Sequence, residues 1–205
     1  MEKVAATLGR QARRRKCPSH GRPPIPHLWL LTDPARTPDP AAAIARLPAG
    51  AAVIYRAFGD RGAAKTARRL RRLTRQRGLK LLIGADWRLA AAVGADGVHL
   101  PQRLMGLATR LRRLKPAWLI TAAAHDGAAL VAGARLGLDA MLVSVVFPSF
   151  SPSAGAPLGT VRFAALIRRS KVPVIALGGV NDQTAAKLSS SHAAGLAGIG
   201  GFEKR

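Results

Sequence analysis

The chain has 205 residues, and 33 lysine and arginine residues against 10 aspartate and glutamate residues give a formal net charge of +23. Hydrophobic residues make up 48% of the chain, which excludes a disordered protein and predicts one globular domain with a substantial core. The longest apolar stretch, from Ala128 to Phe147, is interrupted by Arg135 and Asp139, so the sequence also excludes a membrane span.

Residues 1–26 form a basic leader, and residues 27–205 form the predicted globular domain. Within the leader, the segment from Ala5 to Arg15 is predicted to form an extra helix that covers the floor of the domain. The leader lacks the apolar segment of a secretion signal, and the single cysteine, Cys17, excludes a disulfide framework. These features favour the cytoplasm.

From Leu28 onward, short apolar runs alternate with longer amphipathic segments, a pattern typical of strands followed by helices. The eight predicted strands are Leu28–Thr32, Ala51–Tyr55, Leu79–Ile83, Gly97–Leu100, Trp118–Thr121, Ala140–Val146, Val174–Leu177 and Leu196–Ile199. The predicted helices between them are Ala41–Leu47, Arg61–Arg77, Trp87–Val93, Leu104–Leu114, Gly127–Leu136, Val161–Arg169 and Gln183–Leu188.

Strands that are apolar throughout are buried on both faces, and alternation with helices requires parallel pairing. Eight such units predict an α/β fold, a small closed (β/α)₈ TIM barrel. An open doubly wound sheet is the competing architecture, but no Gly-x-Gly-x-x-Gly follows the first strand. Only Gly200 to Arg205 follow the eighth strand, so the final helix is expected to be truncated or missing.

Glycine pairs follow the last two predicted strands. Gly178-Gly179 comes directly after the seventh strand, and Gly200-Gly201 comes directly after the eighth. In barrels of this class a phosphate commonly binds backbone N–H groups at these two places, and glycine leaves those groups accessible. We therefore predict that the four glycines bind a phosphate.

Three stretches of the sequence carry a family resemblance: Gly94–Gln102, Val146–Ser149 with Pro157–Gly159, and Val172–Val180. Together they resemble the thiamine-phosphate synthase/TenI family. The resemblance implies a (β/α)₈ barrel, in agreement with the strand count, and two candidate activities. Synthase members join hydroxymethylpyrimidine pyrophosphate to thiazole phosphate with Mg²⁺, whereas TenI-like members shift a double bond in a thiazole carboxylate phosphate without metal, using a histidine.

The synthase pattern is incomplete in this sequence. The family's Gln-x-Arg-x-Lys after the second strand falls on Ile54, Arg56 and Phe58, so only the arginine is kept. The two aspartates that bind magnesium in the family fall on Gly84-Ala85 and on Leu104. Because Mg²⁺ requires oxygen ligands, usually including carboxylates, these departures favour the TenI-like activity with no metal or other cofactor.

The resemblance places the candidate catalytic histidine at His125, which follows the fifth strand where TenI-like members have their acid/base. An imidazole suits proton transfer between two carbons of a bound ring. Arg56, at the end of the second strand, is expected to pair with a substrate carboxylate. Asp126 is expected to cap the next helix rather than to react.

The remaining candidate site residues would contact substrate. Ser149 and Ser151 occupy the places of the two hydroxyls in the family's Thr-x-Thr-Lys, whose lysine is replaced by Pro152. His99 lies one residue before the end of the fourth strand, as a packed histidine at the rim. We predict that all three bind substrate and that no residue binds a metal.

Two alternatives stay open. The first is a divergent synthase that uses Mg²⁺ and recruits Asp86 or cationic loops. The second is a non-catalytic barrel that binds a phosphate ligand or associates with nucleic acid.

The basic segment from Arg61 to Lys80 has helical apolar spacing, which is typical of a solvated helix face, and aromatic residues are only 4% of the chain. The expected partner is therefore a small thiazole phosphate rather than a membrane or nucleic acid, and a homo-oligomer stays open.

Overall fold

The computed structural model of the protein describes residues 1–14, 24–149, 155–168 and 170–199. Within these ranges eight parallel strands form a closed barrel in sequence order, each hydrogen-bonded to its neighbours, with the eighth pairing to the first. The predicted TIM barrel is confirmed. The strands are β1 (Leu28–Leu31), β2 (Ala52–Tyr55), β3 (Lys80–Gly84), β4 (Gly97–Leu100), β5 (Leu119–Ala124), β6 (Ala140–Val143), β7 (Val174–Ala176) and β8 (Gly195–Gly198).

Helix α1 (Glu2–Arg14) precedes the first strand. In the described part of the chain, seven helices then follow the first seven strands, as the periodicity predicts: α2 (Pro40–Ala45), α3 (Ala63–Gln76), α4 (Trp87–Ala92), α5 (Ala108–Leu114), α6 (Gly127–Arg135), α7 (Gly159–Arg168) and α8 (Asp182–Ala185). Single 3₁₀ segments, Gln102–Leu107 and Ala186–Leu188, precede α5 and follow α8. Aspartates at Asp39, Asp86 and Asp126 cap α2, α4 and α6 by accepting backbone N–H groups.

The core has two layers, because alternate residues of each strand face opposite sides. One set of apolar side chains, including Trp29, Ile54 and Leu142, fills the barrel interior. The other set, including Leu30 and Val53, packs outward with the buried faces of the helices. The interior is thus a packed core, and open space for a ligand is confined to its ends.

The sixth strand is shorter than predicted. It ends at Val143, although the apolar run continues to Phe147. Beyond Val143 the chain bends into a loop in which the Val146 N–H donates to the Leu177 carbonyl and the Phe147 N–H donates to the Gly178 carbonyl. The loop residues Val145, Val146 and Phe147 are buried although they belong to no strand. A prediction from apolar character alone therefore made the sixth strand too long.

Helix α1 is present but does not cover the floor as predicted. Ala5 and Leu8 are fully buried within the outer core layer, and α1 packs against β8 and β1. Among the described residues that precede β1, Ile25 packs against the interior cluster. α1 therefore occupies the outer wall where a helix following β8 would pack. The prediction of a truncated final helix concerns residues 200–205, which lie outside the described residues.

Two aspartates, the half-buried Asp96 and the buried Asp139, connect neighbouring elements at the amino end of the barrel. Asp96 precedes β4 and accepts from the Leu81 N–H at 2.9 Å and from Arg71 on α3. Asp139 precedes β6 and accepts from the Ile120 N–H at 2.7 Å and from Arg112 on α5. Each carboxylate therefore joins a strand to the helix that precedes that strand in the chain: Asp96 joins β3 to α3, and Asp139 joins β5 to α5. We call these two ion pairs the floor clamps.

Candidate functional site

A cavity of about 620 Å³ opens at the carboxyl ends of the strands. Five of the predicted site residues line it: Arg56, His99, His125, Ser149 and Gly178. These residues come from the second, fourth, fifth, sixth and seventh strand-to-helix connections or strand ends, so the barrel brings together side chains that are far apart in the sequence. The carboxyl end is the face on which barrel enzymes place their chemistry.

Arg56 is fixed from three directions. Its Nε donates to the Thr32 carbonyl at 2.7 Å, its Nη2 donates to Asp33 at 3.1 Å, and its guanidinium lies 4.9 Å from the centre of the Phe58 ring. Burial lowers the pKa of Arg56 and the carboxylate of Asp33 raises it, and an arginine stays charged in either case. Among the described residues no acceptor binds Nη1, which leaves a donor for an anionic ligand.

His99 is a buried, neutral histidine on the inner side of β4. Its Nδ1 lies 3.0 Å from the hydroxyl of Thr121, its register partner on β5. Burial, assisted by the charge of Arg56, lowers the pKa of His99 to about 4. At neutral pH the ring therefore offers one donor and one acceptor and carries no charge.

His125 lies at the rim of the cavity and is exposed to solvent. Its backbone N–H donates to the Gln102 side-chain oxygen at 2.9 Å, and its Nδ1 lies 3.4 Å from the Ser144 carbonyl. The neighbouring Asp126 caps α6, as predicted, by accepting from the Ala129 N–H at 2.7 Å. That hydrogen bond is the main cause of the lowered pKa of Asp126, which therefore stays ionised.

Gly178 and Gly179 have positive φ angles of 92° and 62°, a region that favours glycine. A Cβ at Gly178 would lie 2.2 Å from the Val145 side chain, and one at Gly179 would lie 2.4 Å from the Pro148 carbonyl. The turn after β7 therefore packs directly on the loop after β6. Within the described ranges the N–H groups of the two glycines donate to no protein acceptor, and Gly178 lines the cavity while Gly179 lies one residue beyond it.

The other predicted positions are more dispersed. Gly200, Gly201 and Ser151 lie outside the described residues, so the second glycine pair and the second hydroxyl stay predictions. Asp86, the acid considered for a divergent synthase, is exposed, accepts from the Leu89 N–H as the cap of α4 and does not line the cavity.

The residues that line this cavity do not fit the magnesium of the family. Ala85 and Leu104 stand where carboxylates would be required, and the described residues contain no cluster of three metal-ligating side chains. None of the described residues that line the cavity is an aspartate or glutamate. The charged and imidazole side chains that are present, one arginine and two histidines, suit a bound anion rather than a divalent cation.

Sequence reasoning missed the residues that hold the site in place. Gln102 receives the His125 N–H and donates to Asp126 at 3.3 Å, Thr121 contacts His99, and Thr32 with Asp33 holds Arg56. Gln102 lies within a stretch already singled out by its resemblance, which was a usable signal. The other contacts depend on strand register, which no local pattern in the sequence reports.

Fold and cavity together define a (β/α)₈ barrel with a cavity, lined by an arginine and two histidines among its residues, at its carboxyl end. The model of the family described as thiamine monophosphate synthase (TMP-TENI) matches residues 28–202. The chain belongs to this family.

Individual relatives agree with that assignment. A thiamine-phosphate synthase from Alcanivorax borkumensis is 32% identical over 181 residues, 84% of this chain and 82% of the relative. One from Chloroflexus aurantiacus is 35% identical over 129 residues, and a relative from Geobacter sulfurreducens is 37% identical over 134 residues. The chain spans 59% and 62% of the lengths of these last two relatives.

A solved structure shares the fold. Thiamine phosphate pyrophosphorylase from Pyrococcus furiosus superposes with a TM-score of 0.73 at 24% identity, covering 85% of each chain.

Among the helices of the described residues, none has the length and apolar composition that a membrane span requires.

Proposed function

We propose that this protein is a cytoplasmic enzyme of thiamine biosynthesis that isomerises a thiazole carboxylate phosphate by acid/base chemistry without a metal. The observation that carries the proposal is the composition of the cavity. Arg56, His99 and His125 line it together, while none of its described lining residues carries a carboxylate and the two places that the resemblance implies for magnesium ligands hold Ala85 and Leu104. The chain's own residues can therefore bind an anion and move a proton at this site.

In this proposal His125 transfers the proton. A base removes a proton from one ring carbon, the electron pair shifts the double bond, and the conjugate acid returns a proton to another ring carbon, so substrate and product are isomers. The Ser144 carbonyl lies 3.4 Å from Nδ1 and favours the tautomer that is protonated there. That tautomer leaves the lone pair on Nε2 available as the base.

Arg56 would hold the substrate carboxylate. Because Thr32, Asp33 and Phe58 already fix the guanidinium, little side-chain entropy remains to be lost when Nη1 binds an oxyanion. His99 would contact the ring as a neutral hydrogen-bonding group, since its pKa of about 4 keeps it uncharged beside Arg56. Ser149, at the cavity wall, would contact the phosphate or the ring.

The phosphate would bind the turn after β7. The N–H groups of Gly178 and Gly179 supply donors that no described protein group uses, and the absence of Cβ atoms lets an anion approach the backbone. Gly200, Gly201 and Ser151 would complete this subsite if the predictions for them hold.

The test compares two histidine variants in buffer containing a metal chelator. His125→Asn should lower turnover of the thiazole carboxylate phosphate by about 10²- to 10⁴-fold, while ligand binding stays within about twofold. The control is His192→Asn, because His192 is an exposed histidine outside the cavity whose positive φ of 65° asparagine tolerates. Unchanged turnover in His125→Asn would remove the histidine from the mechanism.

The second candidate is the synthase reaction, which the names of the relatives favour. It would join hydroxymethylpyrimidine pyrophosphate to thiazole phosphate. A coupled assay with both precursors, with and without Mg²⁺, separates the two candidates. Metal-dependent condensation with no isomerisation would replace the proposed function by this one, whereas metal-independent isomerisation with no condensation supports it.

A further inference from the structure

Helix α3 carries a continuous positive surface that the catalytic proposal does not use. We define the α3 basic face as its five exposed cations, Lys65, Arg68, Arg69, Arg72 and Arg75. At 100° per residue they fall within an arc of about 120° around the helix. The opposite side, with Ala67, Leu70 and Thr74, is buried against the barrel.

The α3 basic face has no counter-charges of its own. The helix contains no acidic residue, and among the described residues no ion pair involves any of the five cations. The one α3 arginine in an ion pair is Arg71, which points to the side and belongs to a floor clamp. Neighbouring cations on this face repel one another, and an anion bound against the face reduces that repulsion.

The cations also lie close together. Four of the five, Lys65, Arg68, Arg69 and Arg72, surround a depression of about 440 Å³ between side chains of α3, together with Thr66 and Leu70. Guanidinium groups pair with phosphate oxygens in a bidentate geometry. The close spacing of these cations suits a row of closely spaced phosphates.

The sequence alone favoured a solvated helix face here; from the uncompensated charge of the folded surface we propose instead that the α3 basic face binds the sugar-phosphate backbone of double-stranded nucleic acid without reading its sequence. Single strands are disfavoured because α3 has no aromatic residue on which bases could stack. A lipid surface is disfavoured because the apolar side of α3 is buried and none of its large hydrophobic side chains is exposed. This activity is independent of the cavity, since none of the five cations lines it.

The experiment measures binding of the full chain to a labelled duplex of about 20 base pairs by fluorescence anisotropy, from about 50 to 250 mM salt. One variant changes the five cations of the α3 basic face to glutamine. The matched control changes five exposed cations on other helices to glutamine, Lys3, Arg10, Arg135, Arg168 and Lys187, so both variants lose the same charge. Circular dichroism and thermal unfolding check that both variants remain folded.

The α3 variant should lose about 4 units of the slope of log K against log salt, because each phosphate contact contributes about 0.9. The control should lose less than about 1 unit. Three results would overturn the proposal: equal losses in the two variants, no wild-type binding at about 100 mM salt, or tighter binding to vesicles of phosphatidylcholine and phosphatidylserine than to the duplex.

Discussion

The two ends of the barrel use charged side chains in opposite ways. At the amino end the floor clamps pair Asp96 with Arg71 and Asp139 with Arg112, and each carboxylate also receives a strand N–H. At the carboxyl end Arg56 keeps a donor that no described residue uses, and His125 reaches solvent. The charges at the amino end are paired within the protein, whereas those at the carboxyl end are available to a ligand.

The difference separates stability from function along the barrel axis. A buried pair that has lost one partner leaves an uncompensated charge, so damage at the floor should weaken the fold. A partly exposed side chain at the mouth, such as His125, can return to water when its ligand is absent, so its loss should alter chemistry and leave the fold intact. Packed or buried groups at the mouth, such as Gly178 and His99, should still contribute to stability, and the following predictions rank these effects against the floor.

The largest effect is expected at the floor. Asp139→Ala removes the acceptor of Arg112 and of the Ile120 N–H, and should lower the free energy of unfolding by about 3–5 kcal/mol in urea titration. The control is Asp182→Ala, since Asp182 is 74% exposed and pairs with the amino terminus. That change should cost less than about 1 kcal/mol. Similar losses in both variants would contradict a special role for the floor clamps.

A smaller effect is expected at the turn after β7. Gly178→Ala combines a positive φ of 92° with a Cβ 2.2 Å from Val145, and should lower the free energy of unfolding by about 2–4 kcal/mol. Gly59→Ala is matched in φ, at 79°, but its Cβ meets open space, so about 1 kcal/mol is expected. If the two glycine variants are equally stable, the close packing of this turn on the β6 loop is not present in solution.

The smallest effect is expected from the titration of His99. The pKa of His99 is about 4 in the folded protein, below its ordinary 6.5, so the unfolded chain binds the proton first as the pH falls. The contribution of His99 to the free energy of unfolding is fully present above about pH 6.5. It falls by as much as about 3 kcal/mol as the pH decreases toward 4. Urea titrations of the wild type and of His99→Gln across this range should show the dependence only in the wild type.

The carboxylates of Asp33 and Asp126 do not add to the pH dependence of stability between pH 6.5 and 4. Their pKa values are lowered by hydrogen bonds, from Arg36 and from the Ala129 N–H respectively, so their contributions are lost only at lower pH. A pH dependence between 6.5 and 4 that persists in His99→Gln would show that the buried histidine is not its source.

Periodicity in the sequence was sufficient for the architecture, because each strand and helix has its own local apolar pattern. The position of α1 was not predictable in this way, since the choice between floor and wall depends on which layer Ala5 and Leu8 enter. For the site, Arg56 and His125 were found from strand ends and resemblance. Thr121 and Asp33 were not, because their contacts with His99 and Arg56 arise only from the register of adjacent strands.

The most direct measurement is a crystal structure with a thiazole carboxylate phosphate bound. The account predicts the phosphate on the N–H groups of Gly178 and Gly179, the carboxylate on Arg56, and the His125 imidazole within about 4 Å of the ring. A ligand bound elsewhere, or bound in the cavity with His125 turned toward solvent, would contradict it.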